Sequence, residues 1–251
     1  MEDIKKKYRL TKDLHTHTIY SRIGPYFHGK GRIIDNVRAA HENGLSEVAI
    51  TDHGPSDLYG IDQNKIPKIR AEIAEAQAKY PDVKVLLGVE ADIVDTPNGI
   101  DVAPEDVALY DFVNAGYHYV PKCRMIANFI TFRLPCPKML KAKMNQYNTE
   151  LVLRALHNND IRVLTHPGDK AYVNMDAIGK ACEETGTLVE INARHKRPNV
   201  DDLRCLAQYA VDFIIGSDAH TPSKVGRYVK STELALAAGI ELWRIINLVE
   251  R

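Results

Sequence analysis

The chain has 251 residues and ten histidines, and most of those histidines fall where metal chemistry could be done. His15 and His17 stand in DLHTHT, His53 in TDHG and Glu90 in GVEAD. His118 ends DFVNAGYH, His166 lies in THPG, and Asp218 and His220 lie in GSDAH. Neutral imidazole and carboxylate together suit borderline divalent metals such as zinc, manganese, iron or nickel. Side chains of an extended strand alternate with a period of two, so the pairs His15/His17 and Asp218/His220 each present two ligands on one face. An apolar rim holding so many titratable groups is costly to fold without a cation to compensate them. A single histidine at a strand end is ordinarily a satisfied core or surface residue. Five separate strands carrying such a residue at the same end is a different matter. His41 falls in a helical pattern, and His157 near a helix C-terminus, where the dipole already favours a cation; both stay outside the set.

The segments that must position these residues are rich in Val, Ile and Leu and run nearly unbroken, as strands buried on both faces do. They span 8–16, 46–52, 83–91, 111–118, 161–166, 187–192 and 211–218. Each candidate ligand falls at the C-terminal end of its strand, where barrels and open α/β sheets place their chemistry. Between the strands lie helical patterns. Ile34 to Glu42 stops at Asn43-Gly44, Ile66 to Lys79 stops at Tyr80-Pro81, and Met175 to Thr185 is followed by Gly186. Further helices are expected over Met139 to Asn158, Asp201 to Tyr209, Thr232 to Ala238 and Leu242 to Glu250. Seven strands alternating with helices predict parallel βα units summing to one closed or nearly closed barrel. With no Gly/Ser/Pro-rich linker, a single α/β domain over residues 1–251 is expected.

Composition narrows the partners. Thirty-three basic and 33 acidic side chains give a net charge of zero, which argues against generic nucleic-acid or membrane binding. No stretch approaches the roughly 18 apolar residues of a membrane span, and MEDIKKKYRL has no apolar signal region. Lys5 to Lys7 read as a solvated tail. Cys123, Cys136, Cys182 and Cys205 have no tight spacing, so reduced thiols and a cytoplasmic location are expected.

DLHTHT, ITDHG, GVEAD, the strand-end His118, THPG, EIN and GSDAH, in that order, resemble the polymerase and histidinol phosphatase (PHP) family. The likeness runs from Asp13 to about Arg227, and TDHG brings it nearest to the family's stand-alone bacterial phosphoesterases. The resemblance implies a distorted seven-stranded (β/α)7 TIM-like barrel with three divalent metal ions (zinc, manganese or iron) at its C-terminal rim. One metal would take His15, His17, Glu90 and Asp218. A second would take His28, His53 and His220; His28 is the one histidine in the loop that follows His17. The third would take His118 and His166, with Glu90 bridging to the first. Such metals clamp a phosphate ester and lower the pKa of a shared water towards roughly 7. The implied reaction is attack of a metal-bridging hydroxide on phosphorus.

Several features around this set have two readings. Asp52 could orient a ligand or accept a proton, or it could cap the following turn. After EIN the chain continues Ala193-Arg194-His195-Lys196-Arg197, where the family has small polar residues. Arg194 and Arg197 there are either a phosphate clamp or a solvated loop. Residues 121–146 carry Lys122, Arg124, Arg133, Lys138, Lys141 and Lys143 and no acid. Arg124 and Arg133 could therefore face an anionic substrate, and the apolar run Met125 to Phe132 could line a pocket or form a lid, unless the segment is an ordinary insertion. The leading expectation is a phosphomonoesterase acting on a small phosphorylated metabolite, with histidinol phosphate as a candidate. A phosphodiesterase or exonuclease on oligonucleotides is the alternative, disfavoured by the neutral charge. A metal-binding protein without catalysis is the third, weakened because all nine ligand positions are occupied.

Overall fold

The computed structural model describes residues 2–120 and 124–251. In chain order the strands are β1 (Tyr8–Leu10), β2 (Lys12–Asp13), β3 (Arg22–Ile23), β4 (Tyr26–Phe27), β5 (Glu47–Ile50), β6 (Lys84–Asp92), β7 (Phe112–Gly116), β8 (Ile161–Leu164), β9 (Leu188–Asn192), β10 (Phe213–Gly216) and β11 (Leu248–Glu250). The helices are α1 (Glu2–Lys7), α2 (Ile33–Glu42), α3 (Ile66–Lys79), α4 (Met125–Arg133), α5 (Lys138–Asn158), α6 (Met175–Thr185), α7 (Val200–Leu206) and α8 (Val229–Ala238).

Seven strands form one parallel sheet in the order β10-β9-β8-β7-β6-β5-β2. Beyond β2 and β10 the two edges meet: Thr16 bridges Ala219 in parallel, and the His17 amide donates to the Ala219 carbonyl at 2.8 Å. The result is a nearly closed barrel of alternating strands and helices, as the unbroken apolar strands require, because both faces of such a sheet must be covered. Leu14, Ala49, Val163 and Ile214, from four different strand regions, pack on one another as a small cluster of their own. A larger core, including Ile50, Leu87, Ile69 and Ile178, fills the space between sheet and helices.

Four expectations need correction. The stretch 8–16 is two strands rather than one. β1 leaves the barrel to pair antiparallel with β11, Tyr8 opposite Glu250 and Leu10 opposite Leu248. The helix expected over Leu242 to Glu250 is instead one short 3-10 turn followed by β11. Its apolar spacing suits a helix, but tertiary hydrogen bonds override it. Arg244 donates to the carbonyls of Ala207, Tyr209 and Val211, and the Asn247 side chain links Lys12 to Ile215. Those buried backbone groups need partners more than residues 242–250 need a helix. Lys5 to Lys7 are solvated as expected but do not form a tail: they end α1, whose Ile4 is buried and which packs against α8. The helix expected to reach Tyr209 stops at Leu206, and the carbonyls of Ala207 and Tyr209 are used by Arg244.

Candidate metal centre

The barrel gathers the C-terminal ends of its strands, and there the candidate ligands converge in a buried cluster. His15 Nδ1 lies 2.7 Å from Glu190 Oε1. With that proton donated to the carboxylate, His15 Nε2 turns its lone pair inward. It meets His17 Nε2 at 3.1 Å and Glu90 Oε2 at 3.2 Å. His17 Nε2 is 3.4 Å from Glu90 Oε2 and 3.4 Å from Asp218 Oδ1, and His15 Nε2 is 4.0 Å from Asp218 Oδ1. Four ligand atoms held at about 2.0–2.1 Å in a tetrahedron stand about 3.3 Å apart, so this spacing suits a divalent ion. Glu90 Oε2 and Asp218 Oδ1 are buried with no hydrogen-bond partner, a costly state that a cation relieves.

Glu90 straddles two groups. Its Oε2 faces His15, His17 and also His53, whose Nδ1 is 3.2 Å away. Its Oε1 faces His166 Nε2 at 2.9 Å and His118 Nε2 at 3.5 Å. A second set forms around His220. His17, His53 and His220 bring ligand atoms within 4.8 Å of one another, and the His220 Nε2 is buried and unpartnered. The His28 ring stands edge-on to His220 at 4.3 Å and stacks on Tyr59 at 4.4 Å. The structure thus brings all nine sequence candidates to one rim. His41 and His157 lie away from it, paired with Asp82 and Glu184 on the surface.

Electrostatics are consistent with cation binding. Burial opposes charge on every group here. Against it, His15 and His118 hold Glu90, and His15 with the nearby imidazoles of His17 and His195 holds Asp218, well below the ordinary carboxylate range. Burial, helped by His220 and His53, pushes His17 well below the usual imidazole value, and the same causes together with Arg194 push His28 down to about 3. Burial likewise lowers His118 and His166. His15 is raised well above the ordinary value and His53 is raised too: burial opposes their charge, but Glu90, joined at His15 by Glu190 and Asp218, outweighs it. Ionised carboxylates beside imidazoles held neutral at His17, His28, His118 and His166 suit a divalent cation, which would take the place of the protons that His15 and His53 favour.

The supporting residues are partly new. Glu190 accepts the His166 amide through Oε2 at 2.8 Å while its Oε1 holds His15. Asp92 Oδ1 lies 2.6 Å from His118 Nδ1. Glycine is required beside both site glutamates. A Cβ on Gly216 would collide with the Glu190 carboxylate, and one on Gly116 with Thr165 and Glu90. Asp52 accepts the Thr18 amide at 2.7 Å and the Ser21 hydroxyl at 2.6 Å, so it fixes the turn after His17. His195 joins Asp169 to Asp218, 3.0 Å from each. Arg194 Nη1 lies 3.5 Å from the same Asp218 oxygen.

Arg197 is engaged with Asp202 at 2.7 Å. Arg124 stacks over Tyr147 at 4.2 Å, Arg133 lies over the Phe132 ring at 6.0 Å, and Lys122 lies outside the described residues. Sequence reasoning passed over Lys170, half-buried in the loop after His166. It adopts φ +65°, and His166 and Asp218 are also at positive φ. Such backbone costs of order 1–3 kcal/mol per residue and gathers at functional sites. The Lys170 charge adds to burial in lowering His118 and His166. Glu190 and Asp92 could have been found as carboxylates inside apolar strands, which need buried partners; Lys170 has no such signal.

Fold and cluster together define an α/β-barrel protein whose strand ends are built to bind divalent metal. A family model described as PHP domain matches residues 13–228, and the chain belongs to the PHP domain family. It is 26% identical over 253 residues to a protein named probable phosphatase from Thermoanaerobacter sp. (strain X514), covering 95% of this chain and 91% of that one. A probable phosphatase of Caldanaerobacter subterraneus subsp. tengcongensis is 29% identical over 241 residues, with 92% and 84% covered. Among solved structures, histidinol phosphate phosphatase from Lactococcus lactis, complexed with zinc, L-histidinol and phosphate, superposes with TM-score 0.60 at 14% identity, covering 91% and 92%. A chain from archaeal ribonuclease P with mature tRNA superposes with TM-score 0.52 at 10% identity, covering 92% and 90%. The barrel is thus shared by proteins in different settings, and function has to be argued from the site. No helix among the described residues is long and apolar enough to cross a membrane.

Proposed function

We propose that this chain is a metal-dependent phosphomonoesterase that hydrolyses a small phosphorylated metabolite. The observation that carries the reading is the Glu90 carboxylate, one oxygen on the His15/His17/Asp218 group and the other on His118 and His166. A carboxylate so placed suits bridging of two cations. His15, His17, Glu90 and Asp218 would hold one, His28, His53 and His220 a second, and His118 and His166 a third. Bound there, divalent cations supply Lewis acidity to a phosphoryl group and lower the pKa of a coordinated water towards roughly 7. The chain's own residues do the rest. Glu190 and Asp92 fix the tautomers of His15 and His118 by taking their Nδ1 protons. His195 occupies Asp218 Oδ2, leaving Oδ1 for the cluster. Arg194 and Lys170 supply positive charge where the phosphate dianion would sit.

Supporting this reading are relatives named as phosphatases and the phosphate and L-histidinol in the Lactococcus structure, which make histidinol phosphate one candidate substrate. The zero net charge favours a small metabolite over an oligonucleotide. Metal analysis of the purified protein should find two to three equivalents, and p-nitrophenyl phosphate should turn over faster than its bis-ester. One equivalent or none would end the trinuclear reading, and preference for the bis-ester would end the monoesterase reading. Full activity in His53→Ala would remove that residue from the ligand set.

A further inference from the structure

Apart from the metal rim, a cleft of about 740 Å³ opens where α1, β1 and the start of α8 meet. This size is typical of small-molecule sites. Its walls carry Lys5, Arg9, Arg227, Lys230 and Arg251 against one acidic side chain, Glu42. Among the described residues, none of these five cations has a carboxylate side chain within salt-bridge distance; Lys230 and Arg251 reach only the backbone carbonyls of His195 and Tyr8. Some basic residues elsewhere are paired, as in Arg38–Asp35, Arg70–Asp111 and Arg154–Asp95. In a protein with 33 charges of each sign, five cations converging on one cleft with a single acid is a local departure. Their mutual repulsion is relieved when an anion enters.

A second feature points the same way. Tyr228, Val229 and Lys230 lie on the wall, and α8 begins there with no side-chain cap on its first turn. The positive end of a ten-residue helix therefore opens where the cations gather. The five come from α1, β1, α8 with its preceding loop, and the end of β11, and a cleft of about 740 Å³ has room for more than one oxyanion group.

We infer that this cleft is a binding site for a small anion carrying two tetrahedral oxyanion groups, such as a bisphosphorylated metabolite, and that it is separate from the metal centre. None of the cleft residues is a candidate metal ligand.

The test uses the metal-loaded protein and 1,3-propanedisulfonate, a dianion that is neither hydrolysed nor a strong metal ligand. Calorimetry should find one equivalent bound, with affinity falling as salt is raised. Arg9→Gln/Arg227→Gln should weaken that affinity at least about tenfold, while turnover of p-nitrophenyl phosphate without the dianion stays within about twofold. Lys230→Gln alone serves if the double variant does not fold, with the same direction of change. No binding up to about 10 mM, or binding that survives these substitutions unchanged, would overturn the assignment.

Discussion

At the scale of single residues, the centre depends on which atoms have their hydrogen-bonding capacity already filled. Glu190 uses both oxygens, one on His15 Nδ1 and one on the His166 amide, and so fixes two ligand-bearing strands at once. Glu190→Gln keeps the shape but places an amide where a proton acceptor is needed. We expect metal affinity to fall about 10- to 100-fold, read by competition with a chromophoric chelator. Lys170 tests a different role. If its ammonium meets substrate phosphate, Lys170→Met should lower kcat/KM for p-nitrophenyl phosphate about 10- to 100-fold and weaken inhibition by inorganic phosphate, with metal content unchanged. Unaltered phosphate inhibition would remove Lys170 from the phosphate site. The pattern made eight of the nine ligands legible in the sequence, because each stands at the end of an apolar run, whereas His28 lies in a loop. Lys170 was not legible, since nothing local distinguishes it from a solvated lysine.

At the scale of elements, the apolar run from Met125 forms the helix α4, which leads into the expected helix α5. α4 exposes Ile126, Phe129 and Ile130, and Phe129 touches Tyr119, one residue beyond His118. Exposed apolar side chains beside a metal rim suit contact with the organic part of a substrate. Arg124 and Arg133 lean on Tyr147 and Phe132, which leaves their charges at the edge of that surface. Arg124→Glu/Arg133→Glu should raise the Michaelis constant for phosphorylated substrates several-fold with little change in metal content; an unchanged constant would show the segment to be an ordinary insertion. Most element boundaries could be read from apolar runs and stop signals, as at Gly186, which takes φ +71° after α6. The C-terminal stretch could not. Its spacing is helical, but the barrel needs Arg244 and Asn247 to satisfy backbone groups more than 30 residues away in sequence.

At the scale of the whole molecule, stability should carry the mark of charge buried beside the centre. Asp101 accepts the amides of Asp92 and Ser56, yet burial, helped by nearby Asp57, pushes its carboxyl up to about 6. The folded value lies above the ordinary 3.8. The fold therefore retains a proton that the unfolded chain releases within that window, and Asp101's contribution to stability falls as pH rises through it. The difference in urea midpoint between the natural protein and Asp101→Asn should shrink from pH 4 to about pH 6 and stay level above that. A difference that widened over the same range would contradict the burial of this carboxyl.

The sequence by itself determined the barrel class, the strand ends that carry chemistry and the residue types gathered there. Periodicity and strand-end placement are local properties, and a repeated βα pattern has few ways to close. Only the tertiary structure decided which atoms meet: that Glu90 divides its oxygens between two groups of histidines, that Glu190 and Asp92 hold the outer nitrogens of His15 and His118, and that His28 reaches His220 across a loop. These are contacts between strands and loops far apart in the chain. They are set by barrel closure at Thr16 and Ala219 and by the shared need of buried polar groups for partners, neither of which has a signature in a short stretch of sequence.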